Sequence, residues 1–146
     1  MKAHLTRRYW FPASHRLHSE RMSAAENRRT YGKCNNPHGH GHNYTLEVTV
    51  AGRVEPRTGM VCDIVDLDGF VAREILEPFG YSNLNRLEPF REKVPTTENL
   101  CIEIFNRLEQ GFRTARVEKV RLEETMLNAF EYAGANDIRS HRREER

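Results

Sequence analysis

His40-Gly41-His42-Asn43-Tyr44-Thr45-Leu46-Glu47-Val48-Thr49-Val50 leads into a β-strand over residues 43–53, and its first residues carry chemistry. In a strand successive side chains point to opposite faces, so His40 and His42 project to the same side. The residues just before it, Cys34-Asn35-Asn36-Pro37-His38-Gly39, add a cysteine and a third histidine. Three of the chain's seven histidines and one of its three cysteines thus fall within the eleven residues 34–44. Two imidazoles on one face supply two of the three protein ligands of a catalytic Zn²⁺ site, whose fourth position stays open.

His15, His18 and His38 are the candidates for the third ligand. His15 is preferred because it ends a first strand, residues 3–14, in which Tyr9, Phe11 and Ala13 alternate and whose partner is the His40 strand. Pro12 within that strand predicts an edge or a bulge. Residues 24–29 suit a short helix in a polar connection. A turn at Glu55-Pro56-Arg57-Thr58-Gly59 predicts a hairpin into a third strand at residues 60–62.

Asp63 is placed to cap a helix carrying Ile64, Val65, Leu67, Phe70, Val71 and Ile75, expected to stop before Pro78. Residues 79–94 lack periodicity. Thr96 or Thr97 caps a second long helix with Leu100, Ile104, Phe105 and Leu108 at helical spacing before Gly111. Residues 117–122 alternate, and residues 127–132 are the return strand of a hairpin. The expected fold is α+β: an antiparallel four-stranded sheet with two helices on one face. A sheet covered on one face only favours a homo-oligomer.

The chain has 146 residues, one domain's worth. Residues 1–135 are assigned to a single domain and 136–146 to a charged C-terminal tail. Basic residues number 23 and acidic ones 21, a formal charge of +2 that argues against a nucleic-acid partner. No apolar run nears the roughly 20 residues of a membrane span, so no membrane partner is expected. The first residues lack the apolar core of a secretion signal, and the expected setting is cytoplasmic. Three widely spaced cysteines do not form a disulfide framework.

Six segments taken together resemble the 6-pyruvoyl-tetrahydropterin synthase family, which includes the 6-carboxytetrahydropterin synthases of queuosine biosynthesis. They are Ala13-Ser14-His15-Arg16, Gly32-Lys33-Cys34-Asn35-Asn36-Pro37, Gly39-His40-Gly41-His42-Asn43-Tyr44, Gly59-Met60-Val61, Pro95-Thr96-Thr97-Glu98-Asn99 and Glu124-Thr125. The long connection between His15 and Cys34 is more like the pyruvoyl-forming members. The resemblance implies the tunnelling fold, with subunits joined into a β-barrel, commonly a hexamer of two trimers with active sites between subunits. It implies Zn²⁺ on His15, His40 and His42, Cys34 as the proton-abstracting base, and Glu124 as pterin anchor and relay. Thr96, Thr97 and Glu98 would line the pterin pocket.

The implied activity is a lyase reaction on 7,8-dihydroneopterin triphosphate that releases triphosphate. The carboxytetrahydropterin reaction is the nearest alternative. Family members usually carry an Asp-His pair before an Asn-Leu step, where this chain has Gly80-Tyr81. That departure keeps open a third reading, a pterin or zinc binder with altered or lost catalysis. Tyr81 and His38 are the residues available to substitute for the pair. The expected state of Cys34 is a thiol whose pKa is lowered by metal, Lys33 or an imidazolium.

Overall fold

The computed structural model describes residues 2–135, so the charged tail at 136–146 lies outside the described residues. Strand β1 (Lys2–His15) pairs antiparallel with β2 (His40–Arg53) along its whole length, from Lys2 opposite Arg53 to His15 opposite His40. The other edge of β2 takes β4 (Arg116–Thr125), and β5 (Asn128–Tyr132) closes a hairpin against β4. Residues Ser82–Asn83 form β3, parallel to β1 at Ala13 and Ser14. The sheet therefore has five strands in the order β3-β1-β2-β4-β5 and is mixed, not four-stranded and antiparallel as expected from the sequence.

The strand expected at residues 60–62 is absent for a topological reason. Both edges of β2 are already filled where it would have returned, since Val50 and Ala51 face β1 on one side and Val117 and Arg116 on the other. The turn instead satisfies itself: the Glu55 carboxylate accepts from the Arg57 and Thr58 amides, and Glu55 N–H donates to the Met60 carbonyl. Pro12 marks neither a free edge nor a bulge, since β3 flanks β1 from Ala13 on and the β1–β2 register is unbroken. Its carbonyl accepts from Tyr81 N–H at 2.6 Å, so its donor-less nitrogen also faces away from β2, and no ladder bond is lost.

Helix α1 (Ala24–Tyr31) starts at Ser23, which forms a capping box with Glu26. Asp63 caps α2 (Ile64–Val71) as expected. The helical path does not stop before Pro78. It passes through a π-helical segment, Ala72–Leu76, into a last turn, α3 (Glu77–Phe79). Pro78 cannot bond the carbonyl four residues back, and that carbonyl, of Glu74, accepts from the Arg107 guanidinium at 3.4 Å. Thr96 caps α4 (Thr97–Gly111) by accepting from Asn99 N–H.

Leu67, Val71, Ile75 and Phe79 from the first helical path and Leu100, Ile104, Phe105 and Leu108 from α4 are buried with Leu46, Val48, Val50, Val120 and Leu122 of the sheet. Burying each such aliphatic side chain contributes roughly 1.5–3 kcal/mol. The opposite sheet face carries charge, with Glu47 between Arg8 and Arg121. Phe11, Ala13 and His15 lie on the buried side of β1 and Tyr44 on that of β2, which sets the histidines at the end of the core.

Candidate metal centre

The β1–β2 register decides the site: His15 lies directly opposite His40, and Ala13 opposite His42. Three imidazoles therefore meet on one face. His15 Nε2 lies 3.1 Å from His40 Nε2, and the three rings stand edge to face with centroids 4.7–5.0 Å apart. Glu124, near the end of β4, joins them, its Oε1 being 3.0 Å from His42 Nε2 and 3.6 Å from His15 Nε2. All four donor atoms fall within 4.8 Å of one another.

His15 is 1% exposed, and its Nδ1–H donates to the Pro95 carbonyl at 2.7 Å. Since a carbonyl only accepts, Nε2 is left with its lone pair toward the cluster, as a ligand requires. The Tyr44 hydroxyl lies 3.4 Å from the same Nδ1. Burial, with His40 and His42 close by, pushes the His15 pKa down to about 4, although the Pro95 bond acts the other way. Burial also lowers that of His42, against the opposing pull of Glu124. Both imidazoles are thus neutral at pH 7, the form that binds metals.

The donor set fits a divalent ion. His42 Nε2 is buried without a hydrogen-bond partner, although a carboxylate oxygen sits 3.0 Å away. Such a buried polar atom is costly unless something satisfies it. Imidazole nitrogens and one carboxylate oxygen turned toward a common point suit a borderline metal.

Cys34 sits in the 3-10 turn Gly32–Asn35. A cavity of about 710 Å³ brings it together with Lys33, Arg16, Arg28, His40 and His42. The turn is tied to the residues after His15: Leu17 N–H donates to the Cys34 carbonyl at 2.8 Å, and the Asn35 amide donates to the Leu17 carbonyl at 2.7 Å. Gly39, at φ +73°, lies so near the His15 carbonyl that a Cβ there would sit 3.0 Å from its oxygen. Burial, together with the charge of Glu124, raises the Cys34 pKa. The protein's own residues therefore do not lower it, contrary to the expectation drawn from Lys33 and the imidazoles.

Of the three residues expected to line a ligand pocket, Thr96 is the α4 cap, Thr97 is 2% exposed, and Glu98 is exposed on the first turn of α4. None lines the cavity beside Cys34. His18 accepts from the Asn35 amide at 3.0 Å and lines that cavity, while His38 is exposed. Tyr81 is 86% exposed at φ +56°. Gly80 has no room for a side chain: a Cβ there would run into the Leu76 carbonyl.

A sequence profile described as 6-pyruvoyl tetrahydropterin synthase matches residues 4–135. The chain belongs to the 6-pyruvoyl tetrahydropterin synthase family. It is 42% identical over 134 residues to the 6-pyruvoyl tetrahydrobiopterin synthase of Homo sapiens, covering 91% of this chain and 92% of the relative. Identity to the enzyme of the same name from Poecilia reticulata is 43% over 132 residues, 90% of each chain. The solved structure of Caenorhabditis elegans 6-pyruvoyl tetrahydropterin synthase superposes with a TM-score of 0.88 at 40% identity, covering 92% of this chain and 97% of that one. By this homology the chain is a pterin synthase-family lyase.

The positioning residues were only partly visible in the sequence. Tyr44 shares the face of His40 and His42 by period two, which is a usable signal. Pro95, Asn35 and Asn85 reach the site through contacts 80, 18 and 69 residues away along the chain, which no local pattern announces.

Proposed function

We propose that this chain is a zinc-dependent 6-pyruvoyl tetrahydropterin synthase that converts 7,8-dihydroneopterin triphosphate with release of triphosphate. The observation that carries this reading is the convergence of three imidazole nitrogens, two of them from His40 and His42, which line the cavity that also holds Cys34. His15, His40 and His42 would hold the ion. When bound, it supplies a Lewis acid that stabilises negative charge developing on the substrate's hydroxylated side chain.

The chain's own residues do the rest. Cys34 takes the proton from the side-chain carbon, and as a thiolate it needs its raised pKa offset at the moment of transfer. Lys33, beside it in sequence, and Arg16 and Arg28, which line the same cavity, supply cations suited to a triphosphate. Pro95 keeps the His15 ring in the binding tautomer. Glu124 anchors the pterin edge through two parallel hydrogen bonds during turnover, and Thr96, Thr97 and Glu98 complete the pterin pocket. The half-covered sheet supports assembly into a barrel, a hexamer of two trimers, in which the α4 residues meet a site between subunits.

The test is to incubate the zinc-loaded protein with 7,8-dihydroneopterin triphosphate and identify the pterin by mass spectrometry. A pyruvoyl side chain with stoichiometric triphosphate supports the proposal. A carboxy product with acetaldehyde assigns the carboxytetrahydropterin reaction instead, and no triphosphate release excludes both. Gly80-Tyr81 favours a second reading, a binder with altered catalysis, because an exposed phenol and a position closed to side chains stand where the family's acid-base pair is expected.

A further inference from the structure

We infer that Glu124 is a displaceable fourth ligand of the metal centre, closing it at rest and leaving it when a small anion or a hydroxyl-bearing substrate binds. The inference rests on the metal reading above. Around a four-coordinate ion with bonds of about 2.0–2.1 Å, ligand atoms stand about 3.3 Å apart. Three of the six separations are 3.1 Å for His15–His40, 3.0 Å for His42–Glu124 and 3.6 Å for His15–Glu124, and all four donor atoms lie within 4.8 Å of one another. Glu124 Oε1 is thus within reach of the fourth position.

Charge supports the same assignment. The Glu124 side chain is only 13% exposed, yet among the described residues it pairs with no lysine or arginine, only with His15 and His42. A largely buried carboxylate facing imidazoles that serve as ligands needs a cation between them.

Displaceability follows from how unequally the four are held. His15 is fully buried and fixed by Pro95. Glu124 falls at the bulge between Glu123 and Thr125, where the β4–β5 pairing slips, so its backbone stands outside the ladder. Its second oxygen, Oε2, accepts one hydrogen bond, from the Asn128 amide at 3.0 Å. That bond comes from a hairpin whose tip, Met126 and Leu127, is 95% and 96% exposed. The ligand with the loosest support is the one an incoming donor replaces.

The probes are Co²⁺ and azide, followed by the visible spectrum of the Co²⁺-loaded protein and by chelator competition, with no pterin present. Glu124→Ala should weaken Co²⁺ binding at least about tenfold and tighten azide binding by about the same factor. Asn128→Ala, which keeps the carboxylate but removes its tether, should tighten azide about fivefold, the effect of one hydrogen bond. Unchanged Co²⁺ affinity in Glu124→Ala, or unchanged azide affinity in either variant, overturns the inference. If Glu124→Ala does not fold, the azide titration of Asn128→Ala decides alone. A protein without lyase activity that shows these shifts loses the proposed reaction and keeps this inference. Normal turnover without the shifts does the reverse.

Discussion

The side-chain amide of Asn85 closes a two-bond clamp on the backbone of Arg16: its Oδ1 accepts from Arg16 N–H at 2.7 Å, and its Nδ2 donates to the Arg16 carbonyl at 2.8 Å. The pair imitates one step of a β ladder immediately after His15. Arg16 Nε in turn donates to the Asn35 carbonyl at 3.2 Å, so one short segment connects the end of β1 to the Cys34 turn. The clamp holds His15, the last residue of β1, at the point where the strand would otherwise fray.

Asn85→Ala should therefore cost about 1–3 kcal/mol of stability, since two hydrogen bonds are lost from a half-buried position. It should also weaken metal binding by about tenfold or more, because the backbone next to His15 loses its clamp even though the ring keeps its Pro95 bond. Calorimetric metal titration beside a urea melt checks both. A lower melting point with unchanged metal affinity would show that the clamp is structural only.

Gly80 and Tyr81 make opposite demands. At Gly80 any Cβ meets the backbone carbonyl of Leu76, an atom that cannot swing aside, whereas Tyr81 carries a side chain at φ +56° that a glycine would hold without strain. Gly80→Asp should destabilise by about 2 kcal/mol or more, and Tyr81→Gly should be neutral or stabilising by up to about 1 kcal/mol. Grafting Asp-His onto positions 80 and 81 should likewise lower stability. Urea denaturation of the three variants, with a result of equal stability for Gly80→Asp, would refute the steric argument.

His15 sets a pH window for the protein treated with chelator. Its pKa is lowered from 6.5 to about 4, so between these values the unfolded chain binds a proton that the folded chain does not. Stability from this group is fully present above about pH 6.5 and is lost as pH falls toward 4, by on the order of 3 kcal/mol. Melting points of wild type and His15→Gln from pH 7.5 to 4 should converge as pH falls. Parallel curves would mean that folding does not shift the His15 pKa.

The histidine triad was legible because two independent signals agreed: period two aligned His40 with His42, and a strand partner ended at His15. The two long helices were legible from their caps, Asp63 and Thr96, which act locally. What escaped was non-local. Ser82–Asn83 is too short to show a period, and its pairing with Ala13 and Ser14 depends on where α3 releases the chain. The helix persisted through Pro78 because Arg107, from another helix, accommodates the freed carbonyl. Glu124 was singled out by the resemblance, as pterin anchor and relay, and by pattern alone was a strand carboxylate; its place among the histidines comes from the β2–β4 register, in which Thr45 faces Glu123.

The Cys34 thiol reports on the ion without any substrate. Burial and the Glu124 charge raise its pKa above the ordinary thiol value near 9. A cation on the three imidazoles acts in the opposite sense, by offsetting the Glu124 charge and by favouring the thiolate directly against the effect of burial. Alkylation by iodoacetamide should therefore be slow at pH 8 in chelator-treated protein and accelerate several-fold on adding Zn²⁺, with the rate–pH midpoint moving down. Cys62 and Cys101 are buried, so Cys34→Ala should abolish the fast alkylation while leaving metal stoichiometry intact and reducing turnover by about 10²–10⁴. A midpoint that does not move on metal loading would separate the thiol from the metal centre and remove Cys34 from the role of base.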